Sequence, residues 1–208
     1  MLDNDRVTKD ISTFLNREVG RARTKRYWKI FQDLRLHLGY ADYLGALQSY
    51  RKQYPHDSHV LKLSHFLIEY NFRARLFPNA LKVLKHARRW GKVAILSDGD
   101  VVFQPRKIKC CGLFEAVNGN VLIYVHKERE LSDVRRRLPA DHYVLLDDKI
   151  RILAAVKRKW RSKVTTVFVR QGHYALDRKL VERYRTADVS IDRIGDLLKC
   201  DMARWQTR

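Results

Sequence analysis

Apolar residues in the first third of the chain recur at helical spacing. One stripe holds Tyr27, Phe31, Leu34 and Leu38, a second holds Tyr40, Leu44 and Leu47, and a third holds Leu63, Phe66, Leu67 and Tyr70. Gly39 and the segment 55–58 interrupt this pattern and predict short turns between antiparallel helices. Residues 8–77 are therefore predicted to be all-helical, with their aromatic side chains in the core of a bundle.

The pattern changes after Pro78, where helical stretches alternate with short apolar runs rich in β-branched residues. Helices are predicted over 79–90, 128–138 and 149–159, and strands over 93–96, 121–125, 142–146, 164–169 and 187–191, before a terminal helix. Strands that alternate with helices indicate right-handed βαβ units and a parallel sheet with helices on both faces. The sequence thus predicts an α/β core formed by residues 78–208 together with 1–7.

The composition is that of a globular protein. Hydrophobic residues make up 45% of the 208 residues and aromatic residues 11%. No apolar stretch approaches the roughly 20 residues that cross a bilayer, and the acidic start has no apolar signal segment. Cys110, Cys111 and Cys200 have neither a CxxC motif nor zinc-site spacing. We expect a cytoplasmic protein, not bound to a membrane, with free thiols; a redox pair at Cys110–Cys111 is the less favoured alternative.

The charge is unusual, because 43 lysines and arginines face 23 acids and leave a formal charge of +20. Such a surface attracts polyanions without sequence specificity. The basic residues are dispersed over clusters in different predicted elements: Arg21–Arg26, Lys85–Arg89, Arg106–Lys109, Arg135–Arg137 and Lys157–Lys163. We therefore expect solvated helix faces rather than a nucleic-acid groove. A non-enzymatic module that binds nucleic acid or another polyanion stays open as the alternative function.

Polar residues come just after three of the apolar runs. Ser97 follows the first run, Lys127 the second, and Asp147 and Asp148 the third. In an open parallel sheet the ligand crevice lies outside the carboxyl ends of the strands, so these side chains can converge on one site. A hydroxyl and an ammonium suit an anion, and paired carboxylates suit a divalent cation.

The first two positions also have plain structural interpretations. Ser97 begins a small turn with Asp98 and Gly99, whose backbone N–H groups can face an anion together with the hydroxyl; a serine at a strand end often only caps a turn. Lys127 precedes a helix predicted to begin at Glu128, where a lysine opposes the macrodipole and indicates an anionic partner. The alternative is a solvated lysine.

The paired carboxylates are the stronger indication. Adjacent acids after an apolar strand repel each other and lose hydration, and bound Mg²⁺ would relieve both effects. The alternative is that Asp147 caps the following helix and Asp148 lies in its electropositive first turn. We favour metal binding because all three polar positions have the order and placement that one phosphate site requires.

On these residues the sequence resembles the haloacid dehalogenase-like (HAD) superfamily, in the branch with a helical cap inserted after the first strand. ILSDGD (95–100) is similar to the second motif of the family. VHKE, which contains Lys127, is similar to the third motif, and LLDDK (145–149) is similar to the fourth motif in its paired-aspartate form. LFPNALKVLKHARRWG (76–91) resembles the helix that returns the chain to the core. The resemblance covers nearly the whole chain. It implies a Rossmann-like core and an all-helical cap at 8–77.

The resemblance also implies an activity. Ser97 would hydrogen-bond the phosphoryl group, Lys127 would neutralise its charge and steady the nucleophile, and Asp147 with Asp148 would hold Mg²⁺. The implied function is a Mg²⁺-dependent phosphatase that acts on a small phosphorylated metabolite through an aspartyl-phosphate. Dehalogenase or phosphonatase chemistry on the same scaffold is less favoured.

The first motif of the family, DxDxT at the end of the first strand, has no good match. Asp3 and Asp5 have the DxD spacing, but the chain before them is too short for a strand of about five residues, and Thr8 is one residue out of register. The segment 2–4 is more similar to the residues that come directly after this motif in the family. We therefore expect the first strand and the nucleophile to lie upstream of Met1, leaving the two flanking strands without ladder partners. Activity of the chain as given, its substrate and its oligomeric state stay open.

Overall fold

A computed structural model describes residues 1–205 of the chain. Its α-helices are α1 (Asn4–Leu38), α2 (Tyr43–Gln53), α3 (Val60–Ile68), α4 (Ala80–Ala87), α5 (Phe103–Cys110), α6 (Leu113–Ala116), α7 (Leu131–Arg137), α8 (Ile150–Trp160), α9 (His173–Leu176) and α10 (Arg178–Val181). Its strands are β1 (Ile95–Asp98), β2 (Val121–Tyr124), β3 (Tyr143–Asp147), β4 (Val164–Val169) and β5 (Val189–Ile191). Short 3₁₀ helices span Phe72–Arg75, Arg161–Lys163, Ile194–Lys199 and Met202–Trp205. No helix in this range is both long and apolar enough to cross a membrane.

The first half of the chain is helical, as predicted. Asp3 begins α1 by accepting the backbone N–H of Arg6 at 3.0 Å. Gly20 interrupts the helix with non-helical angles (φ 76°, ψ 167°), and Gly39 ends it in the left-handed region at φ 83°. The predicted break at Gly39 is therefore confirmed, and so is the turn around 55–58 between α2 and α3.

The aromatic and aliphatic stripes of this half form its core. Tyr27, Phe31, Leu47 and Leu63 are all buried, which confirms their predicted role. The same cluster includes Phe103 and other apolar residues beyond position 78. The helical half thus packs directly on the rest of the chain, and the boundary between residues 77 and 78 stays a prediction.

The second half has the predicted α/β architecture. β1 pairs with β2, and β3, β4 and β5 form a second sheet in that order, with every pairing parallel. Neighbouring residues of β4 point to opposite faces: Val167 packs in a cluster with Val83 of α4, whereas Phe168 packs with Ile150 of α8. Helices therefore cover both faces of parallel strands, which confirms the predicted fold class.

The structure corrects several predicted boundaries. Ser97, Asp98 and Asp147 lie within the last positions of their strands instead of after them. The helix predicted from Glu128 begins at Leu131, because the preceding residues form turns. The macrodipole argument for Lys127 was therefore wrong. The predicted terminal helix is the 3₁₀ helix at 194–199.

Candidate active site

A cavity of about 1150 Å³ is lined by residues of both sheets, among them Leu96 of β1 and Leu145 of β3. Among the described strands, β1 pairs with β2 alone and β3 with β4 alone, so each of these two strands has a free edge. Between residues 1 and 205 no strand pairs with either edge. Strand edges carry backbone N–H and C=O groups that need hydrogen-bond partners. The two strands thus have the arrangement expected of neighbours of a central strand.

An ion pair joins the two sheets at the carboxyl ends of their strands. Nζ of Lys127 lies 2.5 Å from Oδ2 of Asp147 and donates to the carbonyl oxygen of Leu96 at 3.3 Å. The two charged side chains are only 12% and 6% exposed. Burial lowers the pKa of Lys127 and raises that of Asp147, but the mutual attraction outweighs burial and shifts each pKa the other way. Both groups are therefore charged at neutral pH.

Asp148 lines the same cavity without such compensation. Burial first, and then the charge of Asp147, raise the pKa of Asp148 to about 6. It forms no ion pair with any residue in the described range. The second oxygen of Asp147 accepts the backbone N–H of Lys149 at 2.8 Å. Asp148 is thus the carboxylate of the pair that would gain most from a cation.

Gln104 positions the hydroxyl of Ser97. Its Nε2 donates to Ser97 Oγ at 2.7 Å, and the hydroxyl donates to the carbonyl oxygen of Asp98 at 3.2 Å. Gln104 lies in the first turn of α5. In the turn before this helix, Asp100 accepts the N–H of Val102 at 2.9 Å. Sequence reasoning missed Gln104. A polar residue in the first turn after a strand end was the available indication.

Asp98 and Gly99 already have partners in the structure. Asp98 Oδ1 accepts the backbone N–H of Lys127 at 2.7 Å, which fixes the turn after β2 against β1. The N–H of Gly99 donates to the carbonyl oxygen of Tyr124 at 3.0 Å. A side chain at Gly99 would meet Gln104 at 2.6 Å. Phosphate binding by Asp98 and Gly99 stays a prediction.

Asp3 and Asp5 lie at the start of α1 and not at a strand end. Asp3 caps the helix, whereas the Asp5 carboxylate pairs with the imidazole of His173 and accepts its backbone N–H at 2.9 Å. A Cβ built on Gly172 would lie 3.4 Å from an oxygen of Asp148 and 3.9 Å from one of Asp5. Asp5 therefore borders the site, although neither aspartate has the predicted position of a nucleophile.

Asp147 and Asp148 carry the hard oxygen donors that Mg²⁺ prefers. Both oxygens of Asp147 already have partners, whereas Asp148 has no ion pair among the described residues and its pKa is raised. In the described part of the chain, no three His, Cys, Asp or Glu side chains are grouped so that they could hold a metal. Mg²⁺ is often held by one or two carboxylates, with water and substrate phosphate completing its shell. The residues present fit a site of that kind.

Comparison with known proteins supports one family. The chain is 54% identical to a protein of Burkholderia xenovorans LB400 whose crystal structure is described as that of a haloacid dehalogenase-like hydrolase. The two structures superpose with a TM-score of 0.91, and the match covers 97% of this chain and 94% of that chain. No family model matches the sequence, and no curated protein matches it.

Proposed function

Because the chain belongs to the haloacid dehalogenase-like hydrolases, we propose that its site serves the Mg²⁺-dependent hydrolysis of a small phosphorylated compound. The observation that carries the proposal is the cavity shared by Ser97, Lys127 and Asp148. These residues lie at or just beyond the carboxyl ends of parallel strands, where ligands of open α/β sheets bind. A hydroxyl and a buried ammonium suit the oxygens of a phosphoryl group, and a carboxylate suits Mg²⁺.

Each side chain has a definite role in this proposal. Ser97, held by Gln104, donates a hydrogen bond to a phosphoryl oxygen, and Lys127 neutralises negative charge that develops there. Asp148, with Asp147, would hold Mg²⁺, and the metal when bound would withdraw charge from the phosphoryl group. The lysine keeps its proton because Asp147 stabilises the ammonium.

The proposed chemistry proceeds through an aspartyl-phosphate. An aspartate oxygen attacks phosphorus, the bond to the leaving oxygen breaks, and a second aspartate protonates that oxygen before activating water. The resemblance places both aspartates at the end of a central strand. Such a strand would pair with the free edges of β1 and β3, and it is not among residues 1–205. The nucleophile is therefore the part of the proposal that the described residues do not supply.

Calorimetric titration with inorganic phosphate tests the proposed site without requiring turnover. We expect Mg²⁺ to strengthen phosphate binding, and Asp148→Asn to remove that dependence. Lys127→Met should weaken binding with or without the metal, whereas Lys25→Met, on an exposed part of α1, should not. Phosphate affinity that responds neither to Mg²⁺ nor to Asp148 would contradict the proposal.

Hydrolysis of an aryl phosphate tests where the nucleophile lies. Because Asp3 caps α1, Asp3→Asn should leave any Mg²⁺-dependent turnover unchanged. A loss of turnover in a folded Asp3→Asn variant would instead assign the attack to the start of α1. Asp5→Asn gives the matching test for the residue that pairs with His173.

A basic pocket supports polyanion binding as the second candidate. A cavity of about 430 Å³ is lined by Arg129, Arg151, Arg158 and Lys159. Of these four basic residues, only Arg151 forms an ion pair within the described range; its partner is Glu128, at 2.7 Å. A polyanion bound there should lose affinity steeply between low and moderate salt. Binding of heparin or nucleic acid that persists in Asp148→Asn and vanishes with salt would favour this candidate.

A further inference from the structure

Two cations lie against one aromatic ring at the wall of the active-site cavity. Cζ of Arg35 is 5.4 Å from the centroid of the Tyr174 ring, and Nζ of Lys149 is 4.6 Å from it. Arg35 belongs to α1 in the helical half, and Lys149 directly follows Asp148. All of them line the cavity that also contains Ser97 and Lys127. Two separate parts of the chain thus bring positive charge to one place.

Neither cation has a direct ion-pair partner in the part of the chain that the structure describes. Among residues 1–205, no carboxylate lies within 4 Å of the Arg35 guanidinium or the Lys149 ammonium. A guanidinium has five N–H donors in a planar fork. The attraction between a cation and a ring face is small beside a charge-assisted hydrogen bond. Arg35 is partly buried and still has donors available to an anion.

A second observation on the same helix points to a ligand. Nε1 of Trp28 is buried and has no hydrogen-bond partner in the described range. A buried donor without an acceptor costs about 1–3 kcal/mol. Trp28, Gln32 and Arg35 are spaced four and three residues apart, so they share one helix face, and all three line the cavity. An oxygen atom of a ligand bound near Arg35 would satisfy the indole.

We propose that this face of α1 binds a carboxylate of the substrate, so that the preferred substrates are phosphorylated carboxylic acids. The planar fork of Arg35 fits the two oxygens of a carboxylate in two parallel hydrogen bonds. The Lys149 ammonium brings a second positive charge to the same side of the cavity, against the Tyr174 ring. The inference rests on the proposed function, which puts the phosphoryl group at Ser97 and Lys127.

Calorimetry with two matched ligands tests this substrate class. 3-Phosphoglycerate and glycerol 3-phosphate differ chiefly in a carboxylate that replaces a hydroxymethyl group. Titrations of the full chain in EDTA prevent Mg²⁺-dependent turnover. We expect about tenfold tighter binding of the carboxylate ligand, because one charge-assisted contact is worth about that factor. Arg35→Gln should abolish the preference and leave the affinity for glycerol 3-phosphate unchanged.

Two further variants separate this site from general electrostatic attraction. Arg21→Gln removes the same charge from an exposed position of α1 and should keep the preference. Trp28→Phe removes the indole N–H. It should lower the affinity for 3-phosphoglycerate by about threefold and leave the affinity for glycerol 3-phosphate unchanged. Equal binding of the two ligands, or a preference that survives Arg35→Gln, would overturn the carboxylate site and leave the phosphate site standing. Binding of neither ligand, in EDTA and again with Mg²⁺ added, would overturn the phosphate site and the inference with it.

Discussion

The ammonium of Lys127 lies 2.5 Å from a carboxylate oxygen of Asp147 and joins two sheets that share no strand pairing among residues 1–205. Lys127 follows β2 in the first sheet, and Asp147 ends β3 in the second. In the proposed mechanism the same lysine neutralises phosphoryl charge. Fold stability and the proposed chemistry therefore depend on one buried pair.

Lys127→Met should destabilise the protein by about 3–5 kcal/mol, because it leaves the buried charge of Asp147 without a partner. Urea denaturation followed by circular dichroism measures the change. The double variant Lys127→Met with Asp147→Leu should recover most of the loss, since both charges are then absent. Lys25→Met should change stability by less than about 0.5 kcal/mol. A cost of under about 1 kcal/mol for Lys127→Met would show that the pair contributes little.

Asp148→Asn should stabilise the fold above about pH 7. The folded-state pKa of Asp148 is about 6, against an ordinary value of 3.8. Folding therefore favours the protonated acid, and this contribution is complete below about pH 4 and lost as pH rises through about 6. A shift of about two pKa units corresponds to about 3 kcal/mol. Urea denaturation across this pH range measures it.

Asn imitates the neutral acid, so the difference between Asp148→Asn and the unsubstituted chain should vanish toward about pH 4. A stability difference that is constant with pH would mean that the ionised Asp148 is not destabilised in the fold.

The strand segments could be predicted because apolar runs determine them locally. The run VTTVFV matches β4 to the residue, since it is buried along its whole length. A helix was predicted from Glu128, where lysine, glutamate and arginine all have high helix propensity. That prediction was wrong. In the structure Asp98 instead holds the N–H of Lys127 and fixes a turn there. Tertiary contacts overrode local preference at this position.

The site residues divide in the same way. That Ser97, Lys127 and Asp148 line one cavity could be predicted, because each stands at or just beyond a strand end and parallel strands bring their ends together. That Gln104 and Arg35 line the same cavity could not be predicted, because it depends on how helix faces pack against the sheets. That docking is determined by contacts between residues far apart in the chain, such as Tyr43 with Phe103.

Gly39→Ala should destabilise the fold by about 1–2 kcal/mol or more. Gly39 has φ 83°, where an L side chain is strained, and a Cβ there would collide with the imidazole of His126. Thermal denaturation compares it with Gly91→Ala, where nothing lies within 4 Å of the added carbon. His126→Ala should relieve the collision and leave the backbone strain. Equal melting temperatures for the two glycine variants would contradict this close approach of the helical half to the core.

Gln104→Leu should weaken phosphate binding by about threefold to tenfold, although Gln104 is not proposed to touch the ligand. Its amide donates to Ser97 Oγ, so it leaves the single hydroxyl proton of Ser97 for another acceptor. That acceptor is the carbonyl oxygen of Asp98 in the structure and a phosphoryl oxygen in the proposed complex. Without the amide the hydroxyl rotates more freely, and a hydrogen bond worth about 0.5–1.5 kcal/mol is lost.

A double-mutant cycle decides whether Gln104 acts through Ser97. Ser97→Ala removes the donor itself, so it should weaken phosphate binding at least as much as Gln104→Leu does. In the Ser97→Ala background, Gln104→Leu should have no further effect on the affinity measured by calorimetry. If the two substitutions add instead, Gln104 contributes independently of the hydroxyl, and the chain of contacts from α5 through Ser97 to the ligand is wrong.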